Sequence, residues 1–241
     1  MKRLVLPLLF LAAPLLVVPA MAGTFTPPKG CTEHLTVQSR GCIVSHFYTC
    51  EGDAKGEQWR ADYDGNGPFF LSKIDSEAQW LESYEAGADT KEVMDPQPKD
   101  PASFSELLAS GLDTFDFALS KDNGEHTTVR GFDKLTGTNA TIDGVTLKQT
   151  EYEYTQTDDK GTVLRHSRGH EYISEEWRSF FSGHSEWQAE DGTWTPAENA
   201  PVKFIKPGKP GFGSTLPLFE CDDQMSQAGP LLPPVQSHAA F

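Results

Sequence analysis

The chain is short of positive charge. It carries 20 Lys and Arg against 35 Asp and Glu, a formal net charge of −15 over 241 residues. A surface this acidic repels phosphate backbones and anionic lipid, which sets nucleic acid and membrane surfaces aside as partners. Solubility of an exported protein is its plainest use; cationic small molecules, divalent metals and basic proteins remain compatible with it. Long apolar runs are scarce as well. After residue 22 no stretch has the ~20 consecutive apolar residues of a membrane-crossing helix. Cysteine is sparse, four in all, and no spacing among them suits a zinc knuckle or a C-x-x-C redox pair. There is no G-x-S-x-G and no Gly-rich phosphate loop, so nucleophilic hydrolysis and nucleotide handling lack a motif. Ser182-Gly183-His184 sets a serine near a histidine, but nearness in sequence is not a catalytic geometry.

The one long apolar run lies at the start. Lys2 and Arg3 precede apolar residues 4–18, broken by Pro7 and Pro14 and closed by Ala20-Met21-Ala22 before Gly23. That is the layout of a secretory signal peptide, too short and too interrupted for a membrane span. The expected organisation is a leader (residues 1–22), a single β-rich domain (23–221) and a flexible polar tail (222–241). Without Lys2 and Arg3 the formal charge moves from −15 to −17. The first cysteine is Cys31, well past the cleavage site, so a lipid anchor there is not expected. Export implies the periplasm or the cell exterior, where cysteines oxidise.

Four cysteines allow three pairings, among which sequence alone does not choose. Local geometry gives a preference. Ser39-Arg40-Gly41 reads as a turn that folds residues 42–50 back on residues 31–38. Cys31 then lies opposite Cys50, within disulfide reach, and Cys42 is left for Cys221. A Cys42–Cys50 loop is the alternative.

What the chain has in quantity is turn signals between β-rich runs. Asp122-Asn123-Gly124, Asp143-Gly144, Asp158-Asp159-Lys160-Gly161 and Asp191-Gly192 all tolerate positive φ. Between them, residues 112–120, 126–142, 145–157 and 162–187 are rich in Thr, Val, Tyr, Phe and Trp. The longer two are expected to break at Thr136-Gly137 and Ser182-Gly183. Successive hairpins predict an antiparallel meander, and long strands predict strong coiling. The fold class is mainly β (α+β): a long-stranded curved antiparallel sheet or open barrel, with one or two short helices packed on it.

The first expected helix has Asp75 or Ser76 at its cap, runs through Trp80 and Tyr84, and stops at Gly87. The second has Asp100 as cap, Pro101 at its first position and Gly111 at its end. Residues 90–99 read as a loop, and residues 216–221 as a final strand. One or both helices should cover the face that carries Phe115, Phe117 and Leu119. In the strand after Gly144, Tyr152 and Tyr154 alternate with Glu151 and Glu153, so neither face is purely apolar. One side lining a partly polar cavity would account for that.

Three groups of residues invite chemistry. Asp62-Tyr63-Asp64-Gly65-Asn66-Gly67 matches the opening of a calcium loop, making Asp62, Asp64 and Asn66 candidate metal ligands. The twelfth position, where a bidentate Glu belongs, is Lys73. The plainer alternative is a hairpin between residues 58–63 and 69–73. Calcium is the one cofactor the sequence raises.

Second, His166, Arg168, His170 and Tyr172 share one face of a strand at period two. Tyr152 and Tyr154 come from the neighbouring strand, while His184 and Glu186 approach from the next. This row could line a cleft, with Arg168, His170, Tyr152, Tyr154 and Tyr172 binding ligand and His166, His170 and His184 as catalytic candidates. His166 and His170 are roughly 13 Å apart along an extended strand, too far to share a metal. The alternative is a solvated face of ordinary cross-strand pairs. Third, Trp59, Trp80, Trp177, Trp187, Trp194 and Phe180-Phe181 could stack on a ligand, though most large rings fill cores. Asn139-Ala140-Thr141 is a glycosylation acceptor, relevant only in a eukaryotic secretory route.

A curved antiparallel sheet with helices on its concave face resembles, in architecture alone, periplasmic carriers of lipophilic cargo. The expected function is a non-enzymatic β domain of the cell envelope that binds a small or lipophilic ligand or an envelope protein. The alternatives are a periplasmic hydrolase using the His/Arg/Tyr face and a calcium-dependent interaction module.

Overall fold

The computed structural model describes residues 23–87, 90–189 and 191–221; the expected leader and C-terminal tail lie outside the described residues. Thirteen strands form one antiparallel sheet. They are β1 (Cys31–Ser39), β2 (Ile43–Cys50), β3 (Gln58–Asp64), β4 (Gly67–Ile74), β5 (Trp80–Glu85), β6 (Lys91–Met94), β7 (Leu112–Lys121), β8 (His126–Ile142), β9 (Val145–Asp158), β10 (Val163–Ser174), β11 (Ser179–Gln188), β12 (Trp194–Glu198) and β13 (Pro201–Ile205). The first twelve follow one another as a meander, and β13 adds beside β1 at the far edge. The sheet is not closed, yet it curls until β13 touches β8 and β11. Coiling of this kind follows from the right-handed twist of long strands, and β8 and β9 run 17 and 14 residues.

The turns fall where the Asp-Gly and Asn-Gly signals stand. Gly124, Gly144, Gly161 and Gly192 all adopt positive φ, as does Asp143 at 49°. The tip of the β8–β9 hairpin reaches β13, where Asp143 Oδ2 accepts from Phe204 N at 3.0 Å. There Leu35, Val37, Phe47, Leu147, Phe181 and Phe204 form one core cluster with Trp177 and Tyr172 packed against it. A second cluster joins Phe104, Leu107, Ala78 and Ile173, and a third Phe115, Phe117, Leu119 and Val129.

The two disulfides are Cys31–Cys50 and Cys42–Cys221, the pairing that the turn at Ser39-Arg40-Gly41 favours. Both hold the same corner of the sheet. The segment after β13 lies along β1, where Gln38 bonds Leu216 O and Leu218 N and Thr36 Oγ1 accepts from Gly213 N. Residues 23–25 cross the same segment through Phe25 N to Gly213 O, and the Phe25 ring stacks on buried His46 at 4.4 Å.

Four expectations about the strands are corrected. Residues 80–85 are a strand. Asp75 Oδ1 takes the N–H groups of Glu77 and Gln79, and Ala78 sits at φ 60°, so the turn that was read as a helix cap feeds β5 instead. Residues 91–94 form β6, filling the slot between β5 and β7, rather than a loop. Residues 216–221 are not a strand; β12 and β13 close the sequence of strands. The long runs break elsewhere than expected. β8 continues through Gly137 with a register shift between Leu135 and Asn139, and the β10–β11 turn comes at residues 175–178.

One helix, α1 (Phe104–Ser110), does form. Its cap is Ser103, whose side chain accepts from Glu106 N, because Asp100 is drawn into a bridge with Asp116. It stops at Gly111, whose φ of 83° lets its N–H reach Leu107 O. The helix packs on β7 and β8 and sends Phe104 into the interior beside Phe180.

Candidate functional site

The curled sheet borders an open cavity of about 1240 Å³. Its walls are built from alternate residues of adjacent strands, and the registers arrange them in rungs across the sheet. One rung runs Asp113, Asp133, Tyr152, Gly169 over β7 to β10. The next runs Phe115, Gly131, Tyr154, Ser167, and the one after it Phe117, Val129, Gln156, Arg165. On the other side of the first, Leu135, Thr150, Glu171 and Ser182 line up. Gln58, Arg60 and Asp62 of β3 contribute from the opposite wall, with Trp80 and Glu82 from β5.

The glycines in these rungs have a steric purpose. A Cβ on Gly131 would sit 2.3 Å from Glu153 O and 2.6 Å from Tyr154 Cβ; one on Gly169 would sit 2.4 Å from His184 O. Each glycine lies opposite a tyrosine, Gly131 beside Tyr154 and Gly169 beside Tyr152, so the close backbones leave space that the rings occupy. The two tyrosine rings stack at 6.1 Å, and Tyr152 Oη lies 3.2 Å from Ser167 Oγ.

The rungs grade in chemistry along the cavity. Around Asp113, Asp133 and Glu171 the wall is acidic. Around Phe115, Phe117, Tyr154 and Trp80 it is aromatic, with Trp80 edge-on to Phe117 at 5.5 Å and to Tyr154 at 5.7 Å. Farther along, Lys121, Glu125, His126, Asp158, Lys160 and Arg165 form a charged rim. From Asp113 to Lys121 the strand advances roughly 27 Å at about 3.4 Å per residue.

The acidic tier is electrostatically tense. Asp113 is 3% exposed; its Oδ2 accepts from Ser103 N at 2.9 Å, while Oδ1 has no hydrogen-bond partner among the described residues. Burial raises its pKa to about 6, against the help of the Ser103 N–H. Burial likewise raises Glu171 to about 7, with the Arg60 guanidinium pulling the other way. Asp133 is pushed well above the ordinary carboxylate range, by burial first and then by Glu171 and Asp113. Asp133 and Glu171 are surrounded by protein yet keep part of their surface on the cavity. Burial also raises Tyr152 and Tyr154. Arg60 Nε lies 3.1 Å from Asp62 Oδ2, but its N–H is not aimed at that oxygen, and Asp62 Oδ1 also lacks a partner among the described residues.

No protein-family model, curated protein or solved structure matches this chain. Its site therefore has to be read from its own geometry.

The structure separates the residues that the sequence grouped. Tyr152 and Tyr154 line the cavity. His166, Arg168 and His170 do not; their rungs fall on the opposite face, because Tyr152 and Tyr154 pair with Gly169 and Ser167. On that face His166 bonds Glu153 at 2.8 Å and Gln188 at 3.1 Å, and Arg168 pairs with Glu186 at 2.9 Å while its guanidinium lies 3.9 Å from the Trp194 ring centre. His170 Nδ1 is 3.2 Å from Thr150 O, His184 lies 3.7 Å from Glu198, and Tyr172 packs on a core cluster. Tyr172 apart, these are cross-strand contacts on a partly wet surface.

Asp62, Asp64 and Asn66 also part company. Asp64 Oδ1 accepts from Asn66 N in the β3–β4 turn, while Asp62 faces the cavity. Lys73, at the loop's twelfth position, is held by Asp53 at 2.7 Å and Glu57 at 2.5 Å. Among the described residues, no three His, Cys, Asp or Glu side chains are placed to hold one metal ion.

The sequence reading missed Asp113, Asp133 and Glu171. A signal for the first was present: Asp113 shares the period-two stripe of Phe115, Phe117 and Leu119, an acid in line with buried apolar residues.

Proposed function

We propose that this protein is an exported, non-enzymatic ligand-binding β domain of the cell envelope, periplasmic or secreted, that takes its ligand into the cavity of the curled sheet. The observation that carries this reading is the cavity itself. At about 1240 Å³ it exceeds the usual range of small-molecule sites, about 300–1,000 Å³, and its aromatic tier offers the apolar contact such sites need. Two disulfides with no free cysteine among the described residues suit an oxidising compartment, which supports export. His166, Arg168 and His170 are engaged with neighbouring strands on the other face and Tyr172 packs on a core cluster, so we do not place the function there.

The test is native mass spectrometry of protein made with its leader and recovered from the periplasm without refolding. The reading expects a chain beginning at Gly23, four hydrogens lighter than the reduced form, carrying a non-covalent adduct or accepting a neutral apolar dye in the cavity. A chain retained in the cytoplasm with its leader intact would sink the export half. A bare chain whose melting temperature no apolar probe raises would sink the binding half.

A further inference from the structure

The cavity wall sets Asp113 and Asp133 directly opposite each other on neighbouring strands. Like charges so placed oppose sheet formation, since facing Cβ atoms are only about 4.5–5.5 Å apart. Glu171 joins them two residues along β10 from Gly169, which closes the same rung. On the facing wall the Arg60 guanidinium acts on Glu171, and it already stands beside Asp62. Asp113 adds a second, independent observation: a side chain 3% exposed, on the cavity wall, with one carboxylate oxygen lacking any protein donor among the described residues. Asp62 Oδ1, in a residue 6% exposed, is in the same condition on the opposite wall. A buried carboxylate oxygen left unpaired costs stability unless something donates to it.

The carboxylates are spread along rungs rather than drawn to one point, which suits a multi-donor organic ion better than a bare metal. The aromatic tier next to them supplies the rest of the recognition. Trp80, Phe117 and Tyr154 meet edge to face, and Phe115 lies 5.8 Å from Phe117. Such faces accept hydrocarbon and attract ammonium groups alike.

We propose that the cavity receives an organic cation with an apolar body, its ammonium seated among Asp113, Asp133 and Glu171 and its hydrocarbon against Trp80, Phe115, Phe117 and Tyr154. This rests on the ligand-binding reading above and adds the chemical class of the ligand. The ammonium would offset the repulsion between the opposed aspartates and Glu171, a need that a neutral or anionic ligand leaves unmet.

The experiment is calorimetric titration of the oxidised protein with decylammonium, decanol and decyl sulfate, each below its micelle-forming or solubility limit. The cation should bind at least about tenfold more tightly than decanol, with decyl sulfate weakest. Glu171→Gln should remove about tenfold of the cation's affinity and leave decanol binding unchanged, and Asp133→Asn should do the same. If Asp133→Asn does not fold, Glu171→Gln carries the test, because it keeps the side chain's shape and removes only its charge. Equal affinity for cation and decanol, or tighter binding of decyl sulfate, overturns the cationic assignment and leaves the ligand-binding reading standing. Failure of all three to bind overturns both.

Discussion

Around β1 and β2 the sheet is covered on both sides. Leu35, Val37 and Phe47 face the core, while Thr36, Gln38 and His46 face the N-terminal and C-terminal segments, and all six are 3% exposed or less. Even the polar members are mostly satisfied: His46 Nδ1 lies 2.7 Å from Glu33 Oε1, and Thr36 and Gln38 bond the C-terminal segment. Around β7 to β10 the same sheet does the reverse. One face borders a cavity in which acids crowd one another, and the other carries exposed ion pairs. The first region spends its polar groups on structure and is pinned by both disulfides. The second sets its buried acids against one another and is held by backbone ladders. A continuous sheet can thus divide the work, with a sealed corner stabilising a wall that would be costly by itself.

The largest effect should come from unpinning the sealed corner. The Cys42–Cys221 bond spans 179 residues and Cys31–Cys50 spans 19. On a loop-entropy account, replacing the first pair by Ala costs about 5 kcal/mol and the second about 3 kcal/mol. Urea unfolding of the two double variants measures this, and equal losses would mean that loop length is not what matters there.

Next comes the cavity wall. Gly131→Ala forces a methyl against the backbone of Glu153 and Tyr154 and should cost about 2–3 kcal/mol. A loss below about 0.5 kcal/mol would show that β8 and β9 separate easily and that the close approach is not a constraint.

The acidic tier should make stability depend on pH in an unusual direction. A carboxyl whose pKa is raised by folding holds its proton more tightly in the folded chain than in the unfolded one. Stability therefore falls as pH climbs from the ordinary carboxylate range through about 6 for Asp113 and about 7 for Glu171. Melting temperature without ligand should drop by roughly 3–6 °C between pH 5 and pH 8, the equivalent of about 1–2 kcal/mol. Glu171→Gln should flatten part of that slope, and an unchanged slope would remove Glu171 from the account.

The smallest effect belongs to the wet face. His166→Ala and Arg168→Ala each delete surface pairs and should cost less than about 1 kcal/mol. A larger loss, or loss of ligand binding, would show that this face does more than solvate the sheet.

The comparison also shows what the sequence could convey. Turns were legible because Asp-Gly and Asn-Gly pairs encode positive φ locally, and from the turns followed the meander and the Cys31–Cys50 register. The end of α1 at Gly111 was legible for the same reason. The stretch after Asp75 was not. Trp80 and Tyr84 fit both a helical spacing and a period of two, and a capping pattern tipped the choice toward helix. Neighbouring strands β4 and β6 decide the matter, and they are tertiary facts. The acidic tier was hidden by abundance: among 35 acids, Asp133 and Glu171 become distinctive only once register sets them beside Asp113 and Tyr152. Face sharing between β9 and β10 likewise depended on a pairing that no local signal fixes, which is why Tyr152 and His170 were grouped and the structure parts them.

The placement of β13 beside β1 has a consequence for how the molecule comes into being. As the chain is delivered from its N-terminal end, hairpin after hairpin can form beside its predecessor, but β13 takes its place on the outer edge of β1 only when residue 201 appears. Cys42 waits longer still, for Cys221. Any nascent or truncated chain that stops before those points presents an open strand edge and an unmatched thiol, both of which invite pairing with other chains. Maturation is therefore gated by arrival of the final stretch of the chain, and the thiol state of Cys42 reports whether an individual molecule has finished.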